Sequence, residues 1–301
     1  MIAPGQELTF TSEPIDIPED DVAYKQARLG YFARIAWAHI DVWQQHYDNR
    51  QFDVLPAHLP GIEEPKEICA LPSVRHCLVE GARAAILGTM LGLEGGQVHD
   101  LQKAAVLHDS FKGQEVVRML EQKPSWDSYA EAQVAAHDSW LATPGRFSED
   151  VIDIASSVAH ESISDMEELL AKSDDELTDL DKAKLAMHYL DDYTVEDYWA
   201  EPAVDGQNDL DRRMTKNENN ERYRALNEAG REYFDGETAY QAQRRNGHAV
   251  ETRLAALIKK AQGLPEAAFE AIDLPVIIDN NIKQALLVAR EAVAGKNQIF
   301  S

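Results

Sequence analysis

Apolar residues recur every three or four positions along most of the chain, a period that predicts helices. Residues 1–20, broken by Pro4, Gly5, Pro14 and Pro18, read as an extended lead-in. The spacing of Tyr24, Leu29, Phe32, Ile35, Ala36, Ile40 and Trp43 then predicts a helix from Asp21 to about Gln51. A Pro-rich stretch from Pro56 to Pro72 ends it. Ser73 reads as the N-cap of a helix with Leu78, Ala82, Ile86 and Met90 on one face, ending near Gly92. Gly95-Gly96 is the expected turn before a helix that aligns Val98, Leu101, Ala105 and His108. Further helices are expected from about Ser128 to Leu141, from a Ser148 cap through His160, and from Asp174 or Thr178 to about Val195. A polar segment, 201–220, leads into helical patterns over 221–262 and 280–294. The nearest thing to a strand is Leu274–Ile278, brief and without a turn partner. The expected fold class is therefore all-α, without internal repeats or sustained heptads. Its expected parts are the lead-in (1–20), a core with an N-terminal helix (21–200), and a C-terminal helical extension packed on it (201–301).

Composition narrows the partners. Of 301 residues, 44% are apolar, enough for a real core. With 29 basic and 53 acidic side chains the net charge is −24. Such a surface repels nucleic-acid backbones and anionic membranes, and it also repels a phosphorylated small molecule unless the site is locally positive. No apolar run approaches the ~20 residues that span a bilayer, and no signal peptide is visible at the amino terminus. Two cysteines, Cys69 and Cys77, form neither a CxxC pair nor a disulfide framework, so a reducing cytoplasm is the expected location. One stretch runs against the global charge: residues 212–260 carry 11 Lys/Arg and 7 Asp/Glu. Either it brings cations over a substrate opening or it is a salt-bridged helical surface.

The chemistry-bearing feature is an ordered set of His and Asp residues on successive helices: His76, His108-Asp109, His137, His160 and Asp191. A divalent metal in a hydrolase needs imidazoles and carboxylates converging from several rigid elements, with coordination positions left open. Adjacent His and Asp at a helix end can bind one ion or bridge two, and two ions ~3.5–4 Å apart can clamp a phosphate. A lone histidine after an apolar run is more often a hydrogen-bonded core residue. Four histidines and two aspartates from five helices, however, are costly to bury without a purpose.

The run Ala104-Ala105-Val106-Leu107-His108-Asp109 with Lys112, the upstream His76 and the late Asp191 resemble the HD-domain superfamily of metal-dependent phosphohydrolases. The spacings suit it, with 32 residues from His76 to His108 and 82 from Asp109 to Asp191. The resemblance covers about 73–195. It implies an all-α HD-domain bundle with N- and C-terminal helical extensions, in which His76, His108, Asp109 and Asp191 are the core metal ligands. His137 and His160 fall where a two-metal subgroup places further histidines, which implies two divalent ions. Iron or manganese leads, and zinc, magnesium, cobalt and nickel stay open. Lys112 is implied to meet the substrate phosphate or to orient Asp109. Arg75, beside the first ligand, either reaches a phosphate or makes a surface salt bridge. The sequence departs from the family at Phe111, where a small residue is usual. No Gly-Tyr-Pro follows His160, and Asp192 competes with Asp191 as the late acid. His39, His46, His58, His99, His188 and His248 match no position and read as structural or exposed, although His188 shares a helical face with Asp191.

The implied activity is hydrolysis of a nucleotide or other small phosphorylated metabolite, with Asp109 and Lys112 as catalytic groups. Two rivals remain on sequence alone. One is a di-iron oxygenase of the same superfamily that cleaves C–C or C–P bonds; the other is a non-catalytic helical module for sensing or interaction. Homo-oligomerisation is compatible with the sequence and not decided by it.

Overall fold

The structure, a computed structural model, describes residues 8–11, 13–17, 21–48, 54–55, 66–67, 71–112, 134–135, 137–142, 145–158, 160–194, 209–265 and 273–299. Apart from turns, loops and the extended lead-in segments, those residues are helical, with one two-residue antiparallel ladder, β1 (Val54–Leu55) with β2 (Lys66–Glu67). No helix among them is long and apolar enough to cross a membrane.

The centre is a three-helix arrangement of α3 (Leu71–Met90), α4 (Gly95–Leu107) and, further along the chain, α7 (Asp179–Tyr193), each packed on the other two. The pairing of α3 with α4 is the most extensive among the described residues. Gly81 permits it: a Cβ there would meet Val106 Cγ2 at 2.9 Å and Ile35 Cγ2 at 3.3 Å. Cys77, Ala82, Ile86, Leu87, Leu101, Ala105, Leu107, Leu185 and Tyr189 fill the interior, all fully buried. That is the apolar face the 3.6-residue period predicts. The short α5 (Glu149–Ala155) closes one side against α4 and α7, and α6 (Ile163–Ala171) follows it.

The flanking elements grip this centre from two directions. On one, α1 (Val22–Ala38) and α11 (Leu274–Ile299) pack on each other and on α3, and α2 (Ile40–Asp48) lies against α4. On the other, α10 (Ala239–Gln262) packs along α7, α6 and α8 (Asp209–Glu218), with the short α9 (Arg224–Ala229) beside it. The lead-in is tied down where described: Asn281 exchanges hydrogen bonds with the Thr9 backbone (2.9 and 2.8 Å), and the Asn280 amide donates to Thr11 and Glu13 carbonyls.

Several predicted boundaries move, each for a local reason. The helix expected over 21–51 breaks at His39, whose backbone leaves the helical region (φ −124°, ψ 42°) while its side chain bonds Gln102 of α4. The turn falls at 91–94 instead of Gly95-Gly96, and Glu94 with Gln97 forms a capping box that starts α4 at Gly95. The helix expected to reach His160 stops at Ala155, where the Ser157 hydroxyl donates to the Asp153 carbonyl, competing with the helical ladder. His160 lies instead in a 3-10 turn, His160–Ser162. The 221–262 pattern is broken by a turn at Asp235-Gly236 (φ 48° and 90°), after which Thr238 caps α10. Leu274–Ile278 opens α11 rather than forming a strand; Asp273 accepts from the Val276 amide, and Ile277 and Ile278 are buried. The polar segment 201–220 contains α8 from Asp209 onward. Of the expected 128–141 helix, residues 134–135 and 137–141 are helical, and 128–133 and 136 lie outside the described residues, as do His58 and Cys69.

Candidate metal centre

The α3–α4 contact and the C-terminal end of α7 bring four ligand-bearing side chains together. Donor atoms of His76 and Glu80 from α3, His108 at the end of α4, and Asp191 from α7 all lie within 4.8 Å of one another. His76 and Glu80 are four residues apart, hence on one helical face. His76 Nε2 stands 2.9 Å from Glu80 Oε1 and 3.4 Å from Asp191 Oδ1. His108 Nδ1 lies 3.2 Å from Glu80 Oε2, and its Nε2 lies 3.8 Å from Asp109 Oδ1 and 3.7 Å from Asp191 Oδ1. A second overlapping set joins His108 and Asp109 with the buried thiol of Cys77.

These residues fit a metal ion. His108 Nδ1 is 2.9 Å from the Ala105 carbonyl, which fixes the proton on Nδ1 and leaves a lone pair on Nε2. That Nε2 is buried and has no hydrogen-bond partner among the described residues, and neither does either oxygen of the fully buried Glu80. Its separations of 3.7–3.8 Å from two carboxylate oxygens are close to the ~3.4 Å between donors that share a tetrahedral ion at ~2.1 Å. The donor set, imidazole nitrogen with carboxylate oxygen, suits first-row divalent ions generally.

The electrostatics point the same way. Burial alone would strip the His76 proton, but the Glu80 and Asp191 carboxylates outweigh it and lift its pKa to about 10. Burial opposes ionisation of Asp191, yet Arg213, His76 and His108 hold it well below the usual carboxylate range. Asp109 is lowered too, against its burial, by Lys112, His108 and His76. The site is therefore a pocket of negative potential that holds a proton on His76, and a divalent cation would displace that proton.

Exposure is graded across the site. The side chains of Glu80, His108 and His76 are 0, 1 and 5% exposed, while Asp109 is 17% and Lys112 33% exposed. The opening is thus on the carboxylate side. Lys112 Nζ stands 3.7 Å from Asp109 Oδ1, and Arg213 of α8 donates to Asp191 Oδ1 at 3.0 Å.

Of the sequence-predicted ligands, His76, His108 and Asp191 converge, and Asp109 sits beside His108. Asp192, one position on and about 100° round α7, points away from the cluster: it lies 3.3 Å from His188 Nε2 and accepts a bond from Gln243. Burial raises the Asp192 pKa to about 6, with His188 opposing and Asp191 adding to the rise. His160 is buried edge-on to Tyr240 with centroids 5.0 Å apart, and burial, followed by the field of Lys112, lowers its pKa to about 3. His137 is half-buried, one turn before Trp140, whose indole donates to Ser110. Neither histidine belongs to a converging donor set among the described residues. Arg75 is exposed. His39, His46 and His188 are buried structural residues, as expected, and His248 pairs with Asp211 at the surface.

Two participants were not singled out from the sequence. Glu80 had a local signal, an acid inside the apolar run Leu78-Val79-Glu80-Gly81-Ala82 one turn after His76. Arg213 had only its membership of the basic stretch. Comparison with protein-family models, curated proteins and solved structures finds no match to this chain.

Proposed function

We propose that the protein is a metal-dependent phosphohydrolase of the HD-domain type, acting on a nucleotide or another small phosphorylated metabolite. The observation that carries this reading is the unsatisfied Nε2 of buried His108, aimed between Asp109 and Asp191 with His76 and Glu80 behind it. The ordered motif His76, His108-Asp109, Asp191 supports it independently, because residues up to 115 positions apart in the chain share one site. A divalent ion, iron or manganese by preference, would supply Lewis acidity at the open edge of this donor set.

The chain's own groups do the remainder. His76, His108, Asp191 and one oxygen of Asp109 would hold the ion, with Glu80 facing both imidazoles. Asp109, kept ionised beside Lys112, accepts the proton of an attacking water on a carboxylate oxygen at the open edge. Lys112, a third exposed, offers its ammonium to a substrate oxygen. The hydrolytic reading needs a single metal position, and among the described residues His137 and His160, the further histidines of a two-metal site, join neither donor set, so it is preferred over the di-iron oxygenase.

The test is metal analysis of the purified protein together with phosphate release from a panel of nucleotides and sugar phosphates. The expected result is stoichiometric metal and release that disappears in Asp109→Ala. Oxygen consumption with ferrous iron and no phosphate release would establish the oxygenase instead. No metal uptake by the wild type, and no stabilisation of it by added metal, would establish a non-catalytic module.

A further inference from the structure

Arg213 is bound to the candidate metal centre in a way that a structural salt bridge does not require. Its Nη2 donates to Asp191 Oδ1 at 3.0 Å, the same oxygen that faces His76 Nε2 at 3.4 Å and His108 Nε2 at 3.7 Å. Its Nη1 is anchored separately, to the Thr194 carbonyl at 2.9 Å. One arm of the guanidinium thus stays fixed if the other is released. Its side chain is 20% exposed, beside Asp191 at 11%, so it stands on the open edge of the site and not in its floor. Lys112 holds the corresponding place beside Asp109.

An ion drawing on Asp191 Oδ1 takes electron density from the acceptor that Arg213 uses, and two cations then face one another across a single carboxylate. The Nη2 arm is left near the opening with hydrogen-bond donors to spare, because only two of the five guanidinium N–H groups bond described residues. A planar fork with one anchored arm is suited to two oxygens of a tetrahedral oxyanion. The protein carries a net charge of −24, so a phosphorylated substrate gains from a fixed cation at the mouth.

We infer that Arg213 is the specificity-determining residue for the substrate's phosphoryl group: it neutralises Asp191 while the centre is empty and turns its Nη2 arm to phosphate oxygens when metal binds. This rests on the phosphohydrolase reading of the same centre. It assigns α8, in the C-terminal extension, a direct part in recognition.

The experiment titrates wild type, Arg213→Lys and Arg213→Met with Mn²⁺ by calorimetry, and then titrates each metal-loaded protein with inorganic phosphate. In Arg213→Met, Mn²⁺ binding should hold or tighten several-fold, because a competitor for Asp191 is gone, while phosphate binding weakens at least ten-fold. Arg213→Lys, which keeps the charge and loses the fork, should fall between. A residue that merely props the site would weaken Mn²⁺ binding instead, and that outcome overturns the proposal. Equal phosphate affinity in wild type and Arg213→Met also overturns it and leaves the metal centre standing. A wild type that takes up no Mn²⁺ overturns the reading of the centre, and this proposal with it. If Arg213→Met does not fold, Arg213→Lys decides: phosphate binding weakened three-fold or more supports the inference, and unchanged binding refutes it.

Discussion

Glu80 and Arg83 are both buried charges on α3, one helical turn apart, and they are treated in opposite ways. Arg83 is fully answered: its guanidinium makes a bidentate pair with Asp279 (3.0 and 2.9 Å), donates to Thr194 at 2.9 Å, and stacks 4.4 Å from the Tyr193 ring centroid. Glu80, fully buried, has no hydrogen bond of ordinary geometry among the described residues and faces only the two imidazoles. Burying a charge without such partners is costly. The contrast separates a polar group that fastens helices, here α3 to α11 and α7, from one whose close partners among the described residues are the imidazoles of the candidate metal centre. Buried polar groups are nearly always paired, so a cluster of unpaired ones points to function.

The comparison can be broken at its sharpest point, the metal. His108→Ala removes the nitrogen aimed between Asp109 and Asp191 and should abolish metal uptake. Loss of Lewis-acid assistance worth several kcal/mol lowers phosphate release on the order of 10³-fold or more. The metal-free protein should melt close to wild type. What should vanish is the stabilisation by added metal, about 2.7 kcal/mol at a concentration a hundred times the dissociation constant. A variant that still gains stability from metal would place the ion elsewhere. Arg83→Ala should do the reverse, costing about 3 kcal/mol in urea denaturation because Asp279 loses its partner. Its metal stoichiometry should stay that of wild type. A smaller change belongs to Glu80→Gln, a near-isostere without the charge. Metal affinity should fall ten- to hundred-fold, the usual effect of removing a group that orients ligands. If Glu80 served only to neutralise a protonated His76, the variant would lose stability with its metal affinity intact.

How much of this was legible beforehand follows the same division. The helices and their apolar faces were visible, because burial against α3, α4 and α7 imposes a period on the sequence. The order His76, His108-Asp109, Asp191 was visible because each residue interrupts such a face or ends it. Glu80 interrupts one as well, and its distance of four residues from His76 was the signal to use. Helix ends were harder: the stop at Ala155 depends on a serine hydroxyl, and the break at His39 on a side chain reaching α4. Arg213 and the Asn280 and Asn281 ties to the lead-in join segments distant in the chain, and nothing local announces them. His137 and His160 mark the limit in the other direction: spacing alone does not show whether a histidine's donor atoms join the cluster, and among the described residues theirs do not.

The gentlest test concerns a buried histidine on the structural side of the division. His39 is fully buried with its Nε2 3.1 Å from Gln102 Oε1, and the Gln102 amide donates to the Gly81 carbonyl. The glutamine oxygen is therefore the acceptor, the His39 proton sits on Nε2, and Nδ1 is buried without a hydrogen-bond partner among the described residues. A second proton on Nδ1 would bury a charge, and burial accordingly lowers the pKa from 6.5 to about 4, with Gln102 opposing the fall. The sign follows from proton counting: between pH 6.5 and about 4 the unfolded chain binds a proton here that the folded chain refuses. The contribution of His39 is complete above pH 6.5 and declines as the pH falls toward 4, by at most ~1.4 kcal/mol per unit. His39→Gln can still donate to Gln102 and does not titrate. Urea denaturation of both metal-free proteins at pH 7.5 and pH 5 should show wild type losing about 1–2 kcal/mol more than the variant. Equal losses would mean that His39 takes up its proton in the folded state, and that its burial beside Gln102 does not exclude charge.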